Sequence, residues 1–154
     1  MKKYIKYIIV LAIIVVLVIA HWLISPLFIT REVSEKLEDI PEMTLQAPAA
    51  KIIAQGKFEG VSAHNAEGTA TLLKIGDKYY VRFEDNFKVT NGPDLFVYFG
   101  KDGQYDSNTK IAALKGNVGG QNYEVPANIN PSNYSEVWVW CRAFSVGFGK
   151  AALK

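Results

Sequence analysis

One cysteine and two histidines are all that this chain of 154 residues offers toward thiol or soft-metal chemistry. A single thiol, Cys141, excludes an intrachain disulfide and the dithiol exchange that needs two thiols in one chain. Covalent haem attachment through C-x-x-C-H is excluded, because that motif is absent. One of the histidines, His21, lies in an apolar run, so His64 and Cys141 cannot complete a blue-copper set of two histidines and a cysteine. No Walker loop is present and no G-x-G-x-x-G opens a helix, which removes the nucleotide signals. No nucleophile-elbow pattern frames a serine, and adjacent Glu84 and Asp85 would point to opposite faces of a strand. The residues therefore give no catalytic group, no metal centre and no enzyme.

What the chain does have comes first in order. From Tyr7 to Ile29 it reads "YIIVLAIIVVLVIAHWLISPLFI", without a formal charge. At ~1.5 Å per helical residue this span is roughly 34 Å long, enough to cross a ~30 Å hydrocarbon layer with modest tilt. Lys2, Lys3 and Lys6 precede it with no acidic residue among them, which predicts a cytoplasmic N-terminus. The run exceeds the core of a cleavable signal peptide, and Val18-Ile19-Ala20 is a poor cleavage site. No cysteine lies near it to carry a lipid. The fourteen remaining Lys and Arg face all fifteen Asp and Glu, so the rest of the chain is close to neutral. That leaves no basic field suited to nucleic acid. The expected layout is a cytoplasmic tail at 1–6, a single transmembrane anchor at 7–29, a linker at 30–50 and an extracytoplasmic domain at 51–154 in the cell membrane.

The linker, "REVSEKLEDIPEMTLQAPAA", places Val33, Leu37 and Ile40 at helical spacing, and Pro41 and Pro48 end that turn. It reads as a tether holding the domain a short way above the bilayer. Beyond Ala50 the pattern changes to short β runs punctuated by Gly, Asn and Pro. "KIIAQGKFEG" opens the domain, and "GTATLLKIGDKYYVRFED" is a hairpin turning at Gly76-Asp77. "PDLFVYFG", "KIAALKG", "QNYEVP" and "SEVWVWCRAFSVGFGKAAL" complete about eight strands. The fold class predicted is all-β, an antiparallel β-sandwich, with one N-terminal transmembrane α-helix.

Two loops concentrate polar side chains. "FEDNFKVTNGPDLF" holds Glu84, Asp85, Asn86, Asn91 and Asp94; its spacing fits no EF-hand loop, and Asn91-Gly92-Pro93-Asp94 is turn chemistry. "LKGNVGGQNYEVP" brings Asn117, Gln121 and Asn122. These amides either line a polar binding site or pin a loop to the sheet. Asn133-Tyr134-Ser135 matches a glycosylation sequon. On an extended strand over 136–144, Val137, Val139, Cys141 and Ala143 share one face, with Trp138, Trp140, Arg142 and Phe144 on the other. A thiol among small apolar residues with its adjacent arginine pointing away is packing by local evidence. Only long-range contacts decide otherwise.

These strings closely resemble the DM-thirteen domain, a small extracellular β domain, from about Gln55 to Leu153. The motifs that carry the likeness are Asn91-Gly92-Pro93-Asp94, Leu114-Lys115-Gly116-Asn117 with Gln121-Asn122-Tyr123, and Cys141-Arg142-x-Phe144-Ser145-Val146. "WLISPLFI" after the anchor is similar to membrane-anchored microbial members. The resemblance implies a role in electron transfer, with the family's characteristic cysteine as a bare redox thiol or a ligand to a prosthetic group such as haem. Here that residue is Cys141. No redox module shares this chain, so the resemblance also implies an extracytoplasmic redox partner protein. Two readings follow. In the first, the domain is an accessory to redox chemistry acting through Cys141. In the second, it is a non-catalytic cell-surface binding or structural module for a protein or glycan, with Asn91, Asp94, Asn117, Gln121 and Asn122 in its loops and Cys141 as core filler.

Overall fold

The structure, a computed structural model, describes residues 2–44 and 49–154. It opens with α1 (Lys2–Phe28), whose Tyr4–Trp22 stretch is long and apolar enough to cross a membrane. Pro26 falls in its last turn. A single 3₁₀ turn at Leu37–Asp39 and the short α2 (Pro41–Thr44) follow. The remainder is β structure: β1 (Lys51–Gly60), β2 (Ala66–Glu67), β3 (Thr69–Ile75), β4 (Lys78–Phe83), β5 (Lys88–Val89), β6 (Leu95–Lys101), β7 (Gln104–Ala113), β8 (Gln121–Glu124), β9 (Glu136–Cys141) and β10 (Val146–Ala152).

Eight of these strands form one antiparallel sheet in the order β7-β6-β9-β10-β1-β3-β4-β8, while β2 and β5 pair separately. The sheet folds into two layers because β1 changes partner along its length. Lys51–Lys57 pair with β3, and Phe58–Gly60 pair with β10. Inward-facing residues of both layers then meet in one core, with Val81 and Phe83 of β4 in the same cluster as Val97, Phe99, Val137 and Val139 of β6 and β9. This is the sandwich predicted from the turn spacing. Alternation along each strand supplies the buried face, and turn residues set the registers. Gly76-Asp77 joins β3 to β4, as expected, with Ile75 opposite Lys78.

Three local features depart from the expected pattern. The chain between Gly100 and Lys110, which carries no predicted element, is a hairpin, because Asp102 and Gly103 both take positive φ (54° and 78°) and turn β6 directly into β7. Two consecutive residues at positive φ suit the right-handed twist of a tight hairpin. Second, β9 ends at Cys141 instead of continuing to Phe144. Arg142 to Ser145 form the turn into β10, with Ser145 at φ 50° and Phe144 exposed.

Third, the segment after α1 is docked along its described part rather than standing free. The Val33 N–H donates to Val118 O at 2.9 Å and the Glu35 N–H to Gly120 O at 2.9 Å. Glu32 bridges Val118 in parallel. Higher up, Ile40 is buried with Leu73, Ile75 and Tyr80 on the outer side of the β3–β4 hairpin. The helical spacing of Val33, Leu37 and Ile40 thus marks a strap that packs on the domain. It runs from the end of the sandwich bearing the 116–120 loop to the end bearing the Gly76 turn, and covers polar backbone that would otherwise border edge strand β8. Pro48 lies outside the described residues.

Candidate functional site

Partner strands decide which face of β9 meets the core. Cys141 lies opposite Leu95 on β6 and Val146 on β10, and Val139 opposite Val97. Leu95, Val97, Val139 and Cys141 belong to the core cluster, and Cys141 is 0% exposed. Its sulfur is sealed inside apolar packing, at the end of the strand. Haem ligation by Cys141 does not fit this arrangement: among the described residues the thiol faces core side chains and presents no exposed surface for a macrocycle to reach.

The opposite face of the same layer carries aromatics. Trp140 stacks on Tyr105 with ring centroids 3.7 Å apart, and the Trp138 indole N–H donates to a carboxylate oxygen of Glu136 at 2.8 Å. Arg142 is the first residue of the turn rather than a strand position. It makes two hydrogen bonds to the Asp94 carboxylate, both 3.2 Å, and lies 3.9 Å over the Phe96 ring. That carboxylate holds the guanidinium above its ordinary pKa. The Arg142 N–H also donates to Asp94 O at 3.1 Å, which locks the β9–β10 turn to the Asn91–Asp94 loop.

Beside this turn is a cavity of about 390 Å³. Asn91, Asp94 and Asn117, three of the five loop residues singled out in the sequence, line it together. Leu95, the cross-strand neighbour of Cys141, lines it as well, so the thiol sits one side chain behind the wall. The other two loop residues go elsewhere. Gln121 is fully buried; its Oε1 accepts from Gly116 N–H at 3.0 Å and from the Tyr123 hydroxyl at 2.6 Å, and its Nε2 donates to Gly116 O and Gly119 O. Burial pushes the Tyr123 hydroxyl well above its ordinary pKa, which keeps that proton in place. Asn122 accepts from Arg82 at 2.9 Å and donates to Lys36 O at 2.7 Å. Both amides pin loops, because each satisfies backbone or charge that would otherwise be buried unpaired.

The acidic residues of the first loop are similarly engaged. Glu84 and Asp85 pair with Arg82, and the Asn86 side-chain oxygen accepts from Thr69 N–H at 3.1 Å. His64 stacks on Phe148 at 3.6 Å. Among the described residues no group of three or more His, Cys, Asp or Glu side chains comes together to hold a metal ion.

Residues that the sequence reading did not single out complete the cavity. Ile29 and Arg31, from the stretch just after α1, form part of its wall. The Arg31 N–H donates to Asn117 Oδ1 at 2.7 Å and the Asn117 N–H donates back to Arg31 O at 3.0 Å. Gly116 permits this approach, since a Cβ there would lie 2.4 Å from Arg31 O. Lys115 reaches Glu35 at 2.8 Å and adds a second tie between loop and strap. No local signal marks Arg31 in the sequence, because its role depends on a contact with Asn117 across 86 positions. The three loop motifs and the start of the strap thus share one end of the sandwich.

The family described as "Electron transfer DM13" matches residues 57–153. No curated protein and no solved structure matches the chain.

Proposed function

The chain belongs to the electron-transfer DM13 family, and from that premise we propose that it is a membrane-anchored, extracytoplasmic accessory of a redox system. It turns over no substrate of its own. The apolar α1 is the anchor, with Lys2, Lys3 and Lys6 on the cytoplasmic side and the sandwich outside.

The observation that carries this reading is the convergence at one end of the sandwich. The Asn91–Asp94 loop, the Leu114–Asn117 loop and the turn after Cys141 surround a cavity whose wall includes Ile29 and Arg31. Arg31 follows the last helical residue, Phe28, by three residue steps, at most about 11 Å of chain. The motif-bearing end is therefore held at the membrane surface, where an extracytoplasmic redox partner meets it.

Cys141 is the thiol through which such a partner is served. Its sulfur is fully buried in the resting fold and out of a partner's reach. Exchange requires the wall formed by Leu95 and the Asn91–Asp94 loop to open. The Cys141 sulfur then attacks a partner disulfide, one S–S bond forms as another breaks, and the displaced partner sulfur leaves as thiolate. With a single thiol on this chain, net reduction of the partner takes two equivalents of a small external thiol. The first attacks the Cys141 sulfur and releases the partner as a dithiol. The second attacks the resulting mixed disulfide, leaving as a small-molecule disulfide and restoring the Cys141 thiol.

Native-state thiol modification tests this on the full chain in detergent. If the loop opens, a small methanethiosulfonate reagent labels Cys141 faster than global unfolding exposes the core amide of Val139. Labelling that never exceeds the global unfolding rate would leave Cys141 as core packing and remove it from the redox role.

A further inference from the structure

We propose that the cavity bounded by Arg31, Asp94 and Asn117 is a headgroup site for a membrane-resident isoprenoid quinone. This deepens the electron-transfer reading and rests on it, because the bilayer's own small electron carrier is the ligand class it names.

Position is the first support. Ile29 contributes to the cavity wall, and Arg31 is fixed to Asn117 and Val118 through its N–H and its carbonyl. The chain between α1 and these bonds is too short to lift the cavity away from the point where the helix leaves the bilayer. Its mouth accordingly opens at the lipid surface, and a prenyl tail passes into the bilayer beside Ile29.

The lining supplies the chemistry. The lining includes the apolar residues Ile29, Leu95, Phe96 and Leu114 together with the polar Arg31, Asp94 and Asn117. Asn117 spends its side-chain oxygen on Arg31 N–H, and its NH₂ makes no hydrogen bond among the described residues. The Arg31 guanidinium has no ion-pair partner among them either, whereas Lys115 is committed to Glu35. Both residues line the cavity, and these are the two donors assigned to the carbonyl oxygens of the ring. The Asp94 carboxylate also borders the cavity; its pairing with Arg142 leaves no uncompensated negative charge there, which an uncharged ring tolerates. The phosphatidylglycerol arm of the test decides whether the Arg31 charge takes an anionic head instead. A cavity of about 390 Å³ lies within the ~300–1,000 Å³ typical of small-ligand sites. The chain makes and breaks no bond here; it holds the carrier for its partner.

The test uses the full, isotope-labelled chain in nanodiscs of zwitterionic phosphatidylcholine, titrated with decylubiquinone. Saturable amide shifts are expected at Gly92, Gly116 and Asn117, with none at Gly76 on the far hairpin. Arg31→Gln should weaken the apparent affinity about tenfold or more, as loss of a charged donor does. Ala113→Trp, at an exposed position on the cavity wall, should abolish the shifts while the remaining spectrum stays native. Absence of saturable shifts would overturn the proposal. So would shifts that persist in Ala113→Trp, or that appear with added phosphatidylglycerol alone and block the quinone, which would make this a lipid phosphate site. The thiol-labelling experiment contains no quinone, so either reading can fail without the other.

Discussion

Gly116→Ala should detach the strap from the domain while leaving the sandwich intact. An added methyl would lie 2.4 Å from Arg31 O and 2.7 Å from Val33 Cγ2, too close for either to stay. The backbone at Gly116 is not at positive φ, so alanine is strained only by this contact. Moving Arg31 and Val33 breaks the bonds from Arg31 N to Asn117 Oδ1, Asn117 N to Arg31 O and Val33 N to Val118 O, at 2.7, 3.0 and 2.9 Å. At ~0.5–1.5 kcal/mol net for each, the strap loses about 2–4 kcal/mol. Hydrogen exchange on the full chain in detergent reads this directly. The Val33 and Glu35 amides should exchange on the order of 30- to 1,000-fold faster than in the native chain, since each 1.4 kcal/mol is a factor of ten. The Val139 amide, inside the sheet, should hardly change. Equal protection of Val33 in both proteins would refute the reasoning, because the glycine would then not be what lets the strap dock.

Other expectations concern the core and the latch. Cys141→Ser places a hydroxyl in apolar packing and should cost about 1–3 kcal/mol, against roughly 1 kcal/mol for Cys141→Ala; thermal unfolding would show the serine variant melting below the alanine one, and the reverse order would mean the sulfur is not sealed. Gln121→Leu removes the partner of Gly116 N–H, Gly116 O, Gly119 O and the Tyr123 hydroxyl, and should destabilise by about 3–5 kcal/mol in denaturant titration; a loss under 1 kcal/mol would contradict its role as a pin. Glu42 ties α2 to the sheet through Lys78 at 2.8 Å and the Tyr80 hydroxyl at 2.5 Å, and these bonds lower its pKa from 4.5 to about 2. A depressed carboxylate stabilises the fold above its ordinary pKa and loses that contribution as pH falls toward the folded value. Protection of the Met43 amide should therefore decline between about pH 4.5 and 2, and Glu42→Gln should flatten that dependence; an unchanged slope would exclude this latch.

Much of the fold was legible because local and long-range demands agree. β1 and the β3–β4 hairpin combine β-forming residues with an unambiguous turn, and their register follows. β7 was half hidden, since "QYDSNT" is the polar start of an edge strand. Asp102-Gly103 is nonetheless a strong hairpin signal and could have revealed it. The strap's amphipathic spacing was readable, but not the surface it covers, because Leu73, Ile75 and Tyr80 are distant in sequence. The same limit applied to Cys141: both faces of β9 are apolar, and the inner one is assigned by neighbouring strands, with Leu95 and Val146 opposite Cys141. In the site, Asn91, Asp94 and Asn117 were found by their turn-forming motifs. Gln121 and Asn122 belong to the same string, yet face backbone groups whose needs the local sequence does not state.

The central claim is that the end carrying the loop motifs and Cys141 rests at the membrane surface. Paramagnetic broadening from lipids spin-labelled at the headgroup, read on the full chain in nanodiscs, tests it most directly. The account predicts strong broadening at Gly92, Asn117 and Phe144, and little at Gly76, Asp102 and Asn128. Broadening centred on the Gly76 and Asp102 turns, or equal at both ends, would contradict it.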